Sequence, residues 1–463
     1  MSIAKLTELL TQRLRCDQFS LAEGTLNEYA KDETGVYQAL PGMLVFPEKK
    51  EEISFILESC NKLGIPITPR GAGTGLAGNS VSFPGGVLLV LTKMDQIISL
   101  DSENGTVTVQ PGCIVDNLKE YVARHGWYYP VDPASSGTSL IGGHVSTNAA
   151  GPHSYKYGST KNFVAGLEVV LADGTLIHTG NVVEKSSTGY NLTQLICGSE
   201  GTLGIITEIT LRLVRPPSLQ NTILISFAAL EDGLNTIIAL KKSRLNIAAI
   251  EWMERSAIDI VALYEGKQEI NIETNCSCHL LIDMESDSVE EMESNILNLG
   301  SLMETLPYIN ILVSDSEQSR EKLWRIRKLI GVAVRHHSTY REVDTVVPVN
   351  KLIELIHLVK ETGIKYNFHS VCYGHAGNGN IHVNILREDL DDYVWNHVLT
   401  EGVHAIFEGV IALNGVLSGE HGIGLLNRPF MPLQFTKDEI LLMRQIKKAF
   451  DPNNILNRDK VIP

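Results

Sequence analysis

The stretch Tyr373-Gly-His-Ala-Gly-Asn-Gly-Asn-Ile-His-Val-Asn384 sets His375 and His382 at the two ends of a loop of glycine and asparagine. Glycine reaches positive φ at no steric cost, so this composition shapes a tight backbone. Beyond it Ile381, His382, Val383, Asn384 and Ile385 alternate as a strand with one polar face. Imidazoles on such a frame have two uses. They ligate a metal, with Glu420-His421 downstream as a further donor, or they are satisfied structural histidines.

A second group of residues is shaped for an anion. Gly73-Thr-Gly-Leu-Ala-Gly78 follows the apolar run Ile65-Pro-Ile-Thr68 and matches the dinucleotide fingerprint. That fingerprint needs a helix after the glycines, whereas only Asn79 to Gly86, with Pro84, Gly85 and Gly86, precedes the next strand. A nicotinamide-binding crossover does not fit. What remains is a string of small residues whose backbone amides can cradle a pyrophosphate. Two more such stretches, Pro130 to Gly158 and Gly198 to Gly204, lie in the same part of the chain. Together they point to one extended ligand wrapped by backbone, against the plainer alternative of tight surface loops.

The elements that must position these residues follow from periodicity and turn signals. Helices are expected over Met1–Leu14, Glu48–Leu63, Val115–His125, Gly233–Ser243, from Val289, and over Ser319–His336, Lys351–Thr362, Tyr393–Leu413 and Asp438–Phe450. Strands are expected at 44–47, 65–68, 87–91, 97–100, 106–110, 164–171, 208–214, 222–227, 248–253, 275–284 and 309–313. Asn104-Gly105 and Asp173-Gly174 read as hairpin turns. Pro130 to Gly158 reads as a long functional loop, and Arg215-Pro-Pro217 as a domain boundary. The fold class is α+β.

Bulk properties exclude several functions. A chain of 463 residues suggests two or three domains. Its formal charge of -15, from 39 basic and 54 acidic residues, argues against nucleic acid as a partner. No apolar run approaches the roughly 20 residues that cross a bilayer. The amphipathic N-terminus is unlike a signal peptide, which has a continuous apolar core. The seven cysteines show no framework spacing and no Cys-x-x-Cys. They read as free thiols in a reducing compartment, with Cys276 and Cys278 on one face of a strand. A cytoplasmic protein is expected, with a peripheral position at the inner membrane face as a second expectation.

The loops as a set resemble those of the vanillyl-alcohol oxidase/p-cresol methylhydroxylase flavoproteins. The carrying segments are Pro69 to Asn79, Pro130 to Gly143, Asn148 to Gly158 and Gly198 to Gly204. The His375–His382 stretch and Ser418-Gly-Glu-His-Gly422 resemble the FAD-linked 2-hydroxy-acid dehydrogenases of that superfamily, a group of D-lactate, D-2-hydroxyglutarate and glycolate enzymes. The resemblance covers roughly residues 37–460. It implies an FAD-binding domain of the p-cresol methylhydroxylase type at 1–217, a substrate (cap) domain at 218–412 carrying metal ligands, and a segment at 413–463 that returns to the FAD domain.

The resemblance also implies residue roles. FAD is held by Arg70, Gly71, Ala72, Gly73, Thr74, Gly75, Leu76, Gly78 and Asn79. Pro133, Ser136, Gly137, Thr138, Gly142, Gly143, Asn148, Gly151, Tyr157 and Gly158 follow, with Glu200, Gly201, Gly204, Ile205, Ile206 and Asn457. Relatives with covalent flavin have a histidine in the first loop; Ala72 and Thr74 stand in that region, so the FAD is expected to be noncovalent. His375, His382 and Glu420 become ligands of a divalent metal (zinc, manganese or iron), and His421 the catalytic base. Arg327, in Trp324-Arg-Ile-Arg327, and Asn384 become substrate contacts beside His421. Asn378 stands where the family has aspartate, and is expected to serve the turn.

Where the hydroxyglutarate enzymes have a threonine and a lysine, this chain has Gly331 and Glu342, with Arg335 and Arg341 nearby. D-lactate or glycolate is therefore expected as substrate, ahead of D-2-hydroxyglutarate. An O₂-using oxidase of the same superfamily and a non-catalytic subunit of a larger complex are the other classes considered. The electron acceptor is expected to be separate: a quinone, an electron-transfer flavoprotein, a cytochrome or an iron–sulfur subunit. A homodimer is a further expectation.

Overall fold

The computed structural model describes residues 2–266, 273 and 275–463. Among them the chain divides into two compact units. Unit 1 comprises Met1–Ala150, Gly158–Pro216 and Glu420–Pro463, and unit 2 comprises Gly151–Tyr157 and Pro217–Gly419.

Unit 1 holds two sheets. The strands β1 (Phe19–Ser20), β2 (Met43–Val45), β3 (Ile67–Arg70) and β4 (Val87–Val90) lie in the order β1-β2-β4-β3. β2 and β3 run parallel to β4, and the continuous apolar runs of β2 and β4 are those of strands covered on both faces. The helix Lys50–Leu63 joins β2 to β3. It ends where Gly64 turns left-handed, and buries Ile53, Ile56, Leu57 and Cys60. Ile455 and Leu456 enter the same core, and Leu456 bridges Ile67 beside β3. The C-terminal segment therefore closes unit 1.

The second sheet has β5 (Ile97–Asp101), β6 (Thr106–Val109), β7 (Val164–Val170), β8 (Leu176–Gly180) and β9 (Ile205–Arg212), in the order β5-β6-β9-β7-β8. Gly105 and Gly174, both at positive φ, make its two hairpin turns. Val170 and Ile205 share the core of the first sheet, so both sheets of unit 1 pack on one interior.

Unit 2 is built on an antiparallel sheet of β10 (Leu219–Phe227), β11 (Ile247–Glu254), β12 (Cys278–Ser286), β13 (Asn310–Val313), β14 (Tyr340–Val346), β15 (His369–Gly374) and β16 (Asn380–Leu386). Its order is β13-β10-β12-β11-β15-β16-β14. Helices Arg255–Glu265 and Glu317–His337 cover one face, packing Ile258, Val261, Leu323, Trp324 and Ile330 on Leu224, Met253, Leu281 and Tyr373. Helix Leu230–Lys242 lies on the other, where Gly233 meets Cys278 and Phe227.

Several expectations are corrected. Pro130–Gly158 is not one irregular loop, since it contains helices Ile141–Thr147 and Ser154–Tyr157. Small residues carry no apolar stripe, so these turns had no periodic signal. The helix Arg255–Glu265 and the strands β14 and β15 were unforeseen. The N-terminal helix spans Ser2–Leu10, and Met1 lies outside the described residues. Cys276 precedes β12, which begins at Cys278, so the two are not partners on a strand face. The passage into the last segment falls between Gly419 and Glu420, later than 412–413. No helix among the described residues is long and apolar enough to cross a membrane.

Candidate active site

In unit 1, β3 delivers Arg70 into the glycine-rich loop. Arg70 is buried; its Nη1 donates to the carbonyls of Lys31 (2.9 Å) and Ser80 (3.3 Å), and its guanidinium lies over the Tyr29 ring. Gly73 has φ of 82°, and a Cβ there would sit 2.2 Å from Arg70 Nη2. Only glycine lets the loop fold back over that guanidinium. Further on, the Gly78 N–H donates to Asp32 Oδ2 at 2.8 Å. Among the described residues, the N–H groups of Gly71 through Ala77 donate no hydrogen bond. Consecutive unused amides form an anion-binding concavity. Arg70 Nε, Ser80 Oγ and Asn79 Oδ1 are buried polar atoms without a protein partner beside it.

The other predicted cofactor segments divide between contact-ready and structural residues. Ser136, Gly137, Thr138 and Gly143 are accessible, and a Cβ on Gly143 would meet open space. Gly142 is closed off by Pro111, and Gly204 by Val169. Asn148 is a left-handed helix cap whose Oδ1 accepts from Ser159 Oγ (3.0 Å) and Lys161 N (2.9 Å). His144 is buried against Ser139 Oγ at 2.7 Å, and burial pushes its imidazole down to about 3.

Glu200 is a brace. Its carboxylate accepts from the N–H groups of Ile423 and Gly424, both at 2.8 Å, and from the Asn79 amide. Asn457 Nδ2 donates to the Glu200 carbonyl at 2.6 Å, and Lys460 Nζ to the Asn79 carbonyl at 2.7 Å. Four segments distant in sequence are tied together in this way. Burial raises the Glu200 carboxyl to about 7 despite those donors, and burial lowers Lys460 to about 7. Glu420 and His421 stand just before Ile423 in this bundle, with 3.8 Å between His421 Nε2 and Glu420 Oε1.

Gly151 and Tyr157 belong to unit 2. The segment Gly151–Tyr157 is strapped to β12. His153 Nε2 lies 3.0 Å from Asp283, and Lys156 Nζ and the Tyr157 hydroxyl donate to Glu285 at 2.7 and 2.6 Å. Glu285 is the hydrogen-bond partner of the Tyr157 hydroxyl, and burial raises that hydroxyl's pKa.

The histidines lie on the hairpin of β15 and β16. His375 starts the tight turn Ala376–Asn378, which closes at Gly379 with φ of 80°. Asn378 is exposed on that turn. Register aligns His382 with Tyr373 and Asp344, and Asn384 with Val371 and Glu342. These side chains therefore share the sheet face on which Tyr373 packs. The rings of His375 and His382 stand perpendicular with centroids 5.3 Å apart. His375 Nδ1 is hydrogen-bonded to Glu251 at 2.8 Å, whereas His382 Nδ1 lies 3.1 Å from Glu342 outside hydrogen-bonding geometry. His375, anchored through Nδ1, can present Nε2 to an ion, the usual arrangement of a metal-ligating histidine. The donor set therefore fits a divalent ion.

Arg327, from the helix Glu317–His337, reaches the same place. Its Nε and Nη2 each lie 2.7 Å from Glu251 Oε2, and its guanidinium stacks 4.8 Å from the Tyr373 centroid. Glu251 is fully buried. Burial pushes its carboxyl up, but His375 and Arg327 together outweigh that and hold it below the usual range. Neither amide atom of the fully buried Asn384 finds a partner in hydrogen-bonding geometry. Asp344 accepts from Asn380 Nδ2 (2.7 Å) and from Ser418 Oγ and Gly419 N (2.8 Å each), fixing the chain just ahead of Glu420. Glu251 and Asp344 were missed in the sequence. Each shares its strand with another acid, Glu254 in β11 and Glu342 in β14, and only the folded chain brings it to a histidine or asparagine.

Residues 216–461 match the family of FAD linked oxidases, C-terminal domain, and residues 41–180 match the FAD binding domain. The chain belongs to the FAD-linked oxidase family and is a flavin-dependent oxidoreductase. It is 33% identical to a D-lactate dehydrogenase of Anaerostipes hadrus, covering 99% of this chain and 96% of that protein. At 33% identity it also matches the glycolate oxidase subunit GlcD of Bacillus subtilis (94% and 91% covered). A D-2-hydroxyglutarate dehydrogenase of Stutzerimonas stutzeri matches at the same identity (94% of each covered). Among solved structures, p-cresol methylhydroxylase with substrate bound superposes with a TM-score of 0.81 at 18% identity, covering 98% of this chain and 96% of that one. The p-cresol methylhydroxylase fold expected from the loops is thus the fold observed.

Proposed function

We propose that the protein oxidises a small D-2-hydroxy acid, D-lactate or glycolate, to the 2-oxo acid, using noncovalent FAD and a divalent metal. The observation that carries this is the pair His375–His382 on one hairpin, His375 hydrogen-bonded to Glu251 and His382 beside Glu342, with the unpartnered amide of Asn384 on the sheet face of His382. When bound, the flavin is the two-electron acceptor and the divalent ion is a Lewis acid that makes the substrate hydroxyl more acidic.

The chain's own residues do the rest. His375, His382 and Glu420 hold the ion, and the free amides of Gly71–Ala77 hold the flavin's pyrophosphate. Arg327 takes the substrate carboxylate through the guanidinium edge that Glu251 leaves available, a geometry in which arginine exceeds lysine. The Asn384 amide supplies a hydrogen bond to the substrate. His421 accepts the C2 hydroxyl proton as the C2–H bond breaks. Electrons then pass to a separate acceptor. A cytoplasmic homodimer, with peripheral attachment at the inner membrane face as the alternative location, completes the proposal.

The preference for a monocarboxylate rests on Glu342 and Gly331. Glu342 lies beside His382, and Gly331, where a Cβ would stand 3.4 Å from the Tyr373 hydroxyl, brings no side chain to bind a second carboxylate. A second substrate carboxylate would meet a negative charge. Arg341 pairs with Ile385 in the register and so points to the opposite face from Asn384. A substrate panel tests this: kcat/KM is expected to be highest for D-lactate or glycolate. A highest value for D-2-hydroxyglutarate overturns the preference.

A further inference from the structure

We propose that Glu251 is a positioning residue that locks the two anchors of the substrate, His375 on the hydroxyl side and Arg327 on the carboxylate side, at one fixed spacing. This rests on the function proposed above and adds a residue and a selectivity to it. Glu251 lies mid-strand in β11, fully buried, with β15 beginning to pair one residue further along, at Trp252 and Gly374. Its Oε1 and Oε2 lie 2.8 and 3.0 Å from His375 Nδ1, and its Oε2 lies 2.7 Å from both Nε and Nη2 of Arg327. One carboxylate thus touches both groups.

The chemistry of the contact defines what it does. A carboxylate paired with a guanidinium only accepts hydrogen bonds. His375 must then carry its proton on Nδ1, which makes Nε2 the unprotonated nitrogen that can serve as a ligand. For Arg327, engagement of Nε and Nη2 on one side leaves Nη1 on the other, and the stack on Tyr373 stops the guanidinium plane from turning. Neither anchor can move without dragging the other. The distance between hydroxyl and carboxylate of an accepted substrate is therefore set by Glu251. That favours 2-hydroxy acids over 3-hydroxy acids, whose two groups lie one carbon further apart.

Glu251→Gln is the direct test because it keeps the volume and removes one acceptor. If the glutamine oxygen faces Arg327, its NH₂ faces Nδ1 and moves the histidine proton to Nε2, where it blocks ligation. If the oxygen faces His375, two sets of donors oppose each other. The flavin-loaded wild type and Glu251→Gln are titrated with Mn²⁺ and with Zn²⁺, and the ¹⁵N shifts of His375 are recorded in the metal-free proteins. Expected are a roughly 10–100-fold loss of metal affinity, a change of His375 tautomer and unchanged flavin content. The kcat/KM ratio of D-lactate to 3-hydroxypropionate should also fall. Metal affinity within twofold of wild type with an unchanged tautomer overturns the inference.

Glu251→Asp decides if the glutamine variant does not fold. Its shorter carboxylate reaches one partner, so either metal affinity or KM for D-lactate moves more than about tenfold while the other stays within about threefold. Both remaining within twofold overturns the inference as well. A wild type that binds neither ion, or binds it equally well after His375→Ala, removes the functional proposal itself and this inference with it.

Discussion

Asn384 has a side chain whose chemistry exceeds its surroundings. Its amide is fully buried and finds no partner in hydrogen-bonding geometry, although the Tyr373 hydroxyl is close enough to feel it. A buried polar group without a partner costs about 1–3 kcal/mol. Such a cost is tolerated where a ligand later meets the group. Asn384→Leu, of similar size, should therefore raise the urea midpoint of the substrate-free protein, a gain on the order of 1 kcal/mol. It should also raise KM for D-lactate at least tenfold. A less stable variant with unchanged KM would show that the amide is structural. At this scale the sequence was informative wherever a motif named its own residues, as with His375, His382 and Asn384. It was silent on Glu251, whose partner His375 is 124 positions away. Glu251, within the strand Ile247–Glu254 that is otherwise apolar up to its terminal Glu254, carries no local mark of its pairing.

The turn between β15 and β16 shows how an element holds a site. His375 and His382 flank it, and its closure at Gly379 requires a left-handed backbone 80° in φ. A Cβ at that position would sit 1.9 Å from the Val347 carbonyl, which belongs to backbone and cannot step aside. Gly379→Ala should accordingly cost more than the ~1–2 kcal/mol of the left-handed conformation alone. Chemical denaturation should show the loss, and metal affinity should fall with it as the histidines lose register. A fully stable Gly379→Ala protein would mean that the turn can re-form without its left-handed residue. Glycine spacing made this turn legible from sequence. The helix Ile141–Thr147 was not legible, because Ile-Gly-Gly-His-Val-Ser-Thr has no apolar stripe and is held by its contacts with Pro111 and Ser139.

At the scale of the whole molecule, the buried histidines make stability depend on pH. Burial pushes His279 down to about 4 and His144 down to about 3, from an ordinary 6.5. Between pH 6.5 and those values the unfolded chain binds protons that the folded chain refuses, so stability falls as pH falls. For His279 the full effect is on the order of 3 kcal/mol. Glu200, raised to about 7, has the opposite sign. Its contribution is full below 4.5, the carboxyl's ordinary value, and is lost as pH rises through 7. Urea midpoints at pH 7 and pH 4.5 should differ less in His279→Gln than in wild type; an equal difference would place the acid sensitivity elsewhere.

The division of the chain was partly legible at this scale. Arg215-Pro-Pro217 marks the passage, which falls after Pro216, whereas Gly151–Tyr157 joins unit 2 through polar contacts of His153 with Asp283 and of Lys156 with Glu285. Such pairs connect residues that are remote in sequence, and local composition does not announce them.

The central claim is that the paired histidines His375 and His382 serve oxidation of a D-2-hydroxy acid by flavin. Anaerobic addition of D-lactate to the purified yellow protein, followed through the flavin absorbance, tests it most directly. The absorbance should bleach with D-lactate and persist with L-lactate, and His375→Ala should keep its colour yet bleach at least 100-fold more slowly. Equal bleaching by the two enantiomers, or an undiminished rate in His375→Ala, would contradict the account.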